Sequence, residues 1–242
     1  MRTCGILGGM GPEATIDLMR RVVAHTRAQD DADHVHLIVD NNPQVPSRIK
    51  VLLEGGDVSP GPCLAGMARG LEAQGADFLC IACNTAHNWR GEVARAVSIP
   101  VLDMVALATA EAAKLAPGGR VGILASPAVR LTGLYEAPSR AEGVTPVYAD
   151  EAEEARLLSV IRAVKAGNTG PAVRADLASV VRHMADKGAD VLVAACTELG
   201  VLGVEAPVPV VDAADALARA IVREGAGPEA LKEPEDAEPS PK

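Results

Sequence analysis

The amino-acid sequence predicts an α/β protein of two pseudosymmetric lobes, each a parallel sheet flanked by helices, with an active site in the cleft between them. Short runs rich in Val, Ile and Leu alternate with Ala-rich stretches of helical period, the mark of βα units around parallel sheets. The chain also matches itself at three places in the same order. Its 242 residues suit one large α/β domain or two of about 110 residues, and either can bury a real core.

In chain order, the short apolar run Thr3–Leu7 reads as a strand and is followed by a helix over Pro12–Gln29. The strand His36–Asp40 comes next, then the Ala- and Leu-bearing helix Cys63–Gln74 and the continuous apolar strand Phe78–Ala82. Helices at Trp89–Val97 and Val105–Leu115 flank a short strand at Val101–Asp103. The pattern then restarts with strand Arg120–Leu124, helix Leu131–Glu142 and strand Thr145–Tyr148. Helices Glu151–Ala166 and Ala172–Lys187, strand Val191–Ala195, strand Val208–Val211 and helix Ala213–Glu224 complete it. From Gly225 to Lys242 there are four Pro, five acids and two Lys beside one sizeable apolar residue, Leu231. Such a stretch buries too little to offset its ordering entropy and is predicted to be a disordered acidic tail.

The self-match sets the lobes. Gly75-Ala-Asp-Phe-Leu-Cys-Ile-Ala-Cys83 lies over Gly188-Ala-Asp-Val-Leu-Val-Ala-Ala-Cys196 at an offset of 113, with six identities in nine positions. Upstream, Gly5-Ile-Leu…Thr15 matches Gly122-Ile-Leu…Thr132 at an offset of 117, and downstream Pro100-Val-Leu-Asp103 resembles Pro209-Val-Val-Asp212. A period this far above solenoid lengths implies two related lobes about a pseudo-twofold axis. The predicted division is 1–100 plus 208–224 for the first lobe, 101–207 for the second, and 225–242 for the tail.

Composition narrows the function. The core must come from Ala, Val, Leu and Ile, because only one Trp, two Tyr and one Phe are present. That argues against base-stacking platforms, and a formal charge of −9 is the wrong sign for a surface that neutralises nucleic-acid phosphates. The opening residues do not read as a signal peptide, and no apolar run approaches the roughly 18 to 20 residues needed to cross a bilayer. A cytoplasmic protein without nucleic-acid or membrane partners is expected. Five cysteines are an odd number at low density, so they are expected to be free thiols.

Cys83 and Cys196 coincide in the repeat, each after a buried strand and before polar residues that can begin a helix. Both thiols therefore fall at strand carboxyl ends, where ligands bind in open parallel sheets and helix N-termini lower a thiol pKa. Cys80, Cys83 and His87 would suit a redox or zinc motif, but residues three apart on a strand face opposite sides and no second ligand pair follows at zinc spacing. Two thiols facing one substrate across a pseudo-twofold axis suit a reaction that removes a proton from one face of a stereocentre and returns one to the other. Such racemisation needs the carbanion charge spread onto a carboxylate held by N–H donors, here expected from helix N-termini and the Gly8-Gly-Met-Gly11 turn, and it demands no cofactor.

These segments resemble the cofactor-independent aspartate/glutamate/hydantoin racemase superfamily, over roughly residues 2–222 and most closely its aspartate racemase branch. The resemblance is carried by Gly8-Gly-Met-Gly-Pro-Glu-Ala-Thr15, Asn41-Asn-Pro-Gln-Val-Pro-Ser-Arg48, Cys83-Asn-Thr-Ala-His87 and Cys196-Thr-Glu-Leu-Gly200. It implies two Rossmann-like lobes and an aspartate substrate, with Cys83 and Cys196 as the acid/base pair. It implies further that Asn84, Thr85 and Thr197 hold the α-carboxylate, that Arg48 and Lys165 meet the side-chain carboxylate, and that Met10 is a substrate-binding residue. Glutamate racemases usually carry His where this chain has Glu198. A homodimer is compatible with the resemblance, and glutamate or a broader range of amino acids is the alternative substrate class.

Three rival readings are weaker. Gly9-Met-Gly-Pro-Glu-Ala14 fits G-x-G-x-x-A after a strand, but Pro12 removes an N–H and Glu13 places a negative charge where a pyrophosphate would sit. A two-lobed binding protein for acidic metabolites would share the cleft and cations without needing two symmetric thiols. A pyridoxal enzyme would need a Schiff-base Lys, and nothing besides Lys165 suggests one.

Overall fold

The computed structural model describes residues 1–232. The first half runs β1 (Cys4–Gly8), α1 (Pro12–His25), β2 (Leu37–Asn41), α2 (Arg48–Leu53), α3 (Gly61–Ala73), β3 (Phe78–Ile81), α4 (Arg90–Ala96) and α5 (Met104–Leu115). The second runs β4 (Arg120–Leu124), α6 (Pro127–Leu131), α7 (Glu136–Ala141), β5 (Thr145–Val147), α8 (Glu151–Lys165), α9 (Pro171–Asp186), β6 (Val191–Ala194), α10 (Thr197–Leu202), β7 (Val210–Asp212) and α11 (Ala213–Ala226). Two parallel sheets result, ordered β2-β1-β3 and β5-β4-β6-β7.

The sequence repeat is a repeat of packing. A side chain at Gly5 would meet Leu79 Cδ2 at 2.5 Å, with Ala76 and Leu71 behind it, and one at Gly122 would meet Leu192 Cδ2 at 2.5 Å, with Ala189 and Met184 behind it. Each of those three neighbours is displaced by 113 between the halves, so both glycines are fixed by the same close approach. Asp77 accepts from the Thr3 N–H at 2.7 Å, as Asp190 does from the Arg120 N–H at 2.8 Å. Asp103 caps α5 through the N–H groups of Val105 and Ala106, and Asp212 caps α11 through those of Ala214 and Asp215.

That symmetry corrects the predicted division. The last strand does not return to the first lobe: β7 pairs with β6, Leu192 opposite Val210. Its counterpart Val101 bridges Leu79 and so completes the first sheet, although the division placed it in the second lobe. Each lobe thus closes its own edge, and the helices that follow are the exchanged parts: α5 packs on β6 and β7, while α11 packs on α1.

The predicted tail also starts too early. α11 continues to Ala226, the Gly225 carbonyl accepts from the Arg2 N–H at 2.7 Å, and Leu231 bridges Thr26. Backbone pairing to α1 and its exit holds this stretch where side-chain burial alone would not. Residues 233–242 of the predicted tail lie outside the described residues. The predicted helix Leu131–Glu142 breaks at Gly133, whose φ of 62° ends α6 and starts the turn into α7. Helices α2 and α10, six residues each, are too short to register as helical period.

One core, from Cys4, Ile6 and Phe78 through Tyr135 to Val121, Ile123 and Val191, runs under both sheets and fuses the lobes. Two further cores belong to single lobes, one around Leu64, Leu71 and Leu79, the other around Leu157, Leu177 and Leu192. Among the described residues, no helix is long and apolar enough to cross a membrane.

Candidate active site

The carboxyl ends of β3 and β6 deliver Cys83 and Cys196 to one narrow cleft between the lobes. Both side chains are buried. Arg48, Asn84 and Thr85 line it from the first lobe, and Ser126, Lys165, Thr197 and Glu198 from the second. The free space is about 30 Å³, about what one or two water molecules need. Glu54, just past α2, meets Arg162 of α8 at 2.9 Å across the lobes.

The Cys196 thiol donates to Glu198 Oε2 at 2.9 Å, and the Thr197 hydroxyl lies 3.4 Å from the same oxygen. Glu198 Oε1 lies 3.4 Å from Lys165 Nζ yet has no hydrogen-bond partner among the described residues, although it is buried. The expected lowering of the thiol pKa does not hold at Cys196. Burial and then the Glu198 carboxylate push it well up, against the pull of Lys165. Burial works against the Lys165 ammonium as well, but Glu198 and the two thiols outweigh it and hold its pKa above the usual lysine value.

Cys83 is positioned from within its own lobe by His87. The imidazole Nδ1 donates to the Cys83 carbonyl at 2.9 Å, and Nε2 accepts from the Met104 N–H at 3.1 Å, which defines the neutral tautomer. Burial holds the ring's pKa below its usual range. His87 is therefore occupied by backbone, and Cys80 faces Cys4 with 3.9 Å between sulfurs, away from Cys83. No group of three or more His, Cys, Asp or Glu side chains that would hold a metal occurs among the described residues.

The expected substrate ligands are distributed unevenly. Thr85, Thr197, Arg48 and Lys165 reach the cleft. The Arg48 guanidinium donates to the carbonyls of Val45, Pro46 and Met10 at 3.1, 2.9 and 3.3 Å, leaving two of its five N–H groups for a ligand. Met10 does not line the cleft: its side chain is buried in the first-lobe core, and it acts only through that carbonyl. Asn84 reaches the cleft, but its amide is turned to Tyr135 and Met104. Gly9 is not a carboxylate donor either, since its N–H goes to Thr15 Oγ1 at 2.9 Å. Its φ is 86°, and a side chain there would strike the Asn42 backbone at 2.2 Å. The close approach of the Asn42 backbone is what requires glycine here.

Sequence reasoning did not assign Ser126, Glu198 or Tyr135 a role. Ser126 was within reach of the repeat, whose offset of 117 places it over Gly9 in the turn after the first strand of each half. Its hydroxyl lies 3.5 Å from that of Thr85.

The Asp/Glu/hydantoin racemase family matches residues 7–221 of this chain. The broad-specificity amino-acid racemase RacX of Bacillus subtilis (strain 168) is 25% identical over 224 residues, covering 90% of this chain and 96% of that protein. The aspartate racemase of Picrophilus torridus superposes with a TM-score of 0.82 at 31% identity, covering 93% of this chain and 94% of that one. A glutamate racemase of Francisella tularensis, solved with D-glutamate, shares the fold at a TM-score of 0.64 and 18% identity, over 96% and 83% of the two chains.

Proposed function

The chain belongs to the Asp/Glu/hydantoin racemase family, and from that premise we propose that it interconverts L- and D-aspartate, with Cys83 and Cys196 as proton carriers and no cofactor. The observation that carries the choice of substrate is that Lys165 lies beside Glu198, while Arg48, bonded only to backbone carbonyls, keeps two N–H groups for a ligand in the cleft. A substrate that brings a side-chain carboxylate is the complement of that cation. A neutral amino acid would leave the Arg48 charge without a carboxylate in the narrow cleft.

In one direction the Cys83 thiolate removes the α-proton, the electron pair spreads into the α-carboxylate, and the Cys196 thiol delivers a proton to the opposite face. The thiols end with their states exchanged, and the reverse reaction restores them. For Cys196 to act as the base it must shed its own proton, and Glu198 Oε2 is placed to take it. The transfer moves negative charge from Glu198 to Cys196 without adding any, Lys165 lies beside both groups to hold it in either place, and Cys83, protonated from solvent, is then the acid. The unpartnered Glu198 Oε1 is the natural acceptor for the substrate ammonium. Hydroxyls of Thr85, Ser126 and Thr197 are the donors nearest an α-carboxylate. The small free volume requires the cleft to widen for entry, with the exposed Glu54–Arg162 pair as one interlobe contact that can part.

Proton NMR in deuterium oxide, combined with chiral chromatography, tests this directly. Aspartate is expected to lose its α-proton signal and invert, glutamate to react more slowly, and alanine barely at all. Faster inversion of alanine would overturn the aspartate assignment in favour of broad specificity, as the name of the Bacillus relative would suggest.

A further inference from the structure

We infer that Tyr135 is a positioning residue for the two-thiol reaction: from the second lobe it ties down the turn that carries Cys83, and so sets the spacing over which a proton crosses the substrate. The inference rests on the racemase reading above. Tyr135 precedes α7 and is wholly buried in the core that the lobes share. Its hydroxyl reaches into the first lobe to Asn84, the residue after Cys83. The Asn84 Nδ2 donates to the phenol oxygen at 3.1 Å, and the phenol O–H faces Asn84 Oδ1 at 3.2 Å. Met104 Sδ, 3.4 Å from Nδ2, takes the amide's other hydrogen.

Both amide hydrogens of Asn84 are thus engaged beneath the cleft. Asn84 serves as an anchor, and the α-carboxylate is left to the hydroxyls already named. Only one other side-chain hydrogen bond joins this turn to the second lobe among the described residues, Thr85 to Ser126 at 3.5 Å, and it is the longer. Burial pushes the Tyr135 phenol far above its usual pKa, so it remains neutral and acts through geometry. The two thiols sit on different lobes, and proton transfer at both faces of one carbon tolerates little displacement between them. Tyr135 links the two across the fused core.

A loosened spacing has a signature that instability lacks. When the thiols are in register, a proton removed from one face is replaced from the other, so exchange with solvent accompanies inversion. When they are not, the abstracting thiol exchanges its proton and returns a deuteron to the same face, so exchange outlasts inversion. For Tyr135→Phe, which keeps the ring and removes the hydroxyl, the ratio of α-proton exchange to inversion on aspartate in deuterium oxide is expected to rise at least about threefold. The kcat for inversion should fall while KM changes little. Fewer folded molecules would lower both rates together and leave the ratio alone. Asn84→Ala breaks the same bond from the other end, should raise the ratio likewise, and decides the matter if the Phe variant does not fold. The double variant should be no worse than Asn84→Ala alone. An unchanged ratio in active variants overturns the role of Tyr135. Wild-type protein that neither exchanges nor inverts aspartate, glutamate or alanine would instead overturn the racemase reading itself.

Discussion

Cys196 and Glu198 stand 2.9 Å apart, the thiol donating to a buried carboxylate that shares its second oxygen with no hydrogen-bond donor among the described residues. Of the two cysteines that the repeat superposes, this one has an acid of its own two residues on, and Cys83 is followed at that spacing by Thr85. The repeat is symmetric in backbone and asymmetric in chemistry.

Replacing Glu198 by Gln keeps the shape of the side chain and removes its charge. Because that charge is the second cause, after burial, of the raised Cys196 pKa, the thiol should ionise at lower pH in the variant. The pH midpoint for iodoacetamide labelling of Cys196, followed by mass spectrometry, should move acid-ward. Turnover should still drop at least about tenfold, roughly 1.4 kcal/mol, for want of the proton acceptor. Since the enantiomers are equal in free energy, kcat/KM must fall by one common factor in both directions. A midpoint that stays or rises would remove Glu198 from this role.

Lys165→Met tests the same electrostatics with the opposite sign. Lys165 lowers the Cys196 pKa, so its loss should move the labelling midpoint to higher pH. The two variants together distinguish a charge effect from a change in access, which would alter the labelling rate without opposite shifts.

Cys83→Ala and Cys196→Ala should each leave less than about a tenth of wild-type racemisation of either enantiomer, and Cys→Ser should be nearly as damaging because a hydroxyl is a poor base. Cys63→Ala is a surface-side control. Cys4→Ala, packed against Cys80 in the shared core, should cost about 1 kcal/mol of stability and keep its activity. Chiral assay of the six variants checks this. Exhaustive dialysis against a chelator, with reductant present, should leave wild-type activity intact; recovery only on adding zinc, flavin or pyridoxal phosphate would refute the two-thiol mechanism.

How much of this was legible in the sequence follows from the range of each interaction. The strands, the two lobes and the cysteine pair could be read, because βα patterning is local and the repeat writes the symmetry into aligned letters such as Asp77 and Asp190. The partner of β7 could not be read, since its three residues pair across a long separation and Pro209-Val-Val-Asp212 would fit either sheet edge. The extent of the C-terminal stretch was misjudged because Gly225 and Leu231 are held by backbone contacts to Arg2 and Thr26 that leave no compositional trace. Within the site, the Tyr135–Asn84 bond spans 51 residues with no period to announce it. Glu198 was visible only as a departure from a motif.

Gly200 on α10 offers a test in which two effects oppose. Its replacement by Ala would ordinarily favour a helix by about 0.5 to 1 kcal/mol. Here a methyl group would lie 2.7 Å from Asp212 Oδ2 and 2.8 Å from Arg21 Nη2. Asp212 cannot yield freely, for it caps α11 and pairs with Arg21 at 3.0 Å. The clash should win, with a net loss of about 1 to 2 kcal/mol in urea denaturation and reduced turnover, because α10 also carries Thr197 and Glu198. A more stable, fully active variant would show that the ion pair moves aside.

The substrate class rests most on Arg48. A second carboxylate brought into a narrow cleft loses hydration, which is unfavourable unless a cation meets it. Lys165 is already beside Glu198, so Arg48, with N–H groups still free, is the cation left for that carboxylate. Arg48→Leu removes a charge-assisted contact of roughly 1.5 to 3 kcal/mol, so kcat/KM for aspartate should fall at least about tenfold. The same substitution also removes the bonds to Val45, Pro46 and Met10, and a purely structural effect through them would slow every substrate alike. Measuring wild type and variant on aspartate, glutamate and alanine separates the two. A loss confined to the acidic pair assigns Arg48 to the side-chain carboxylate, whereas equal losses on all three would make Arg48 a tie between α2 and the Met10 turn and leave the acidic substrate without its principal cation.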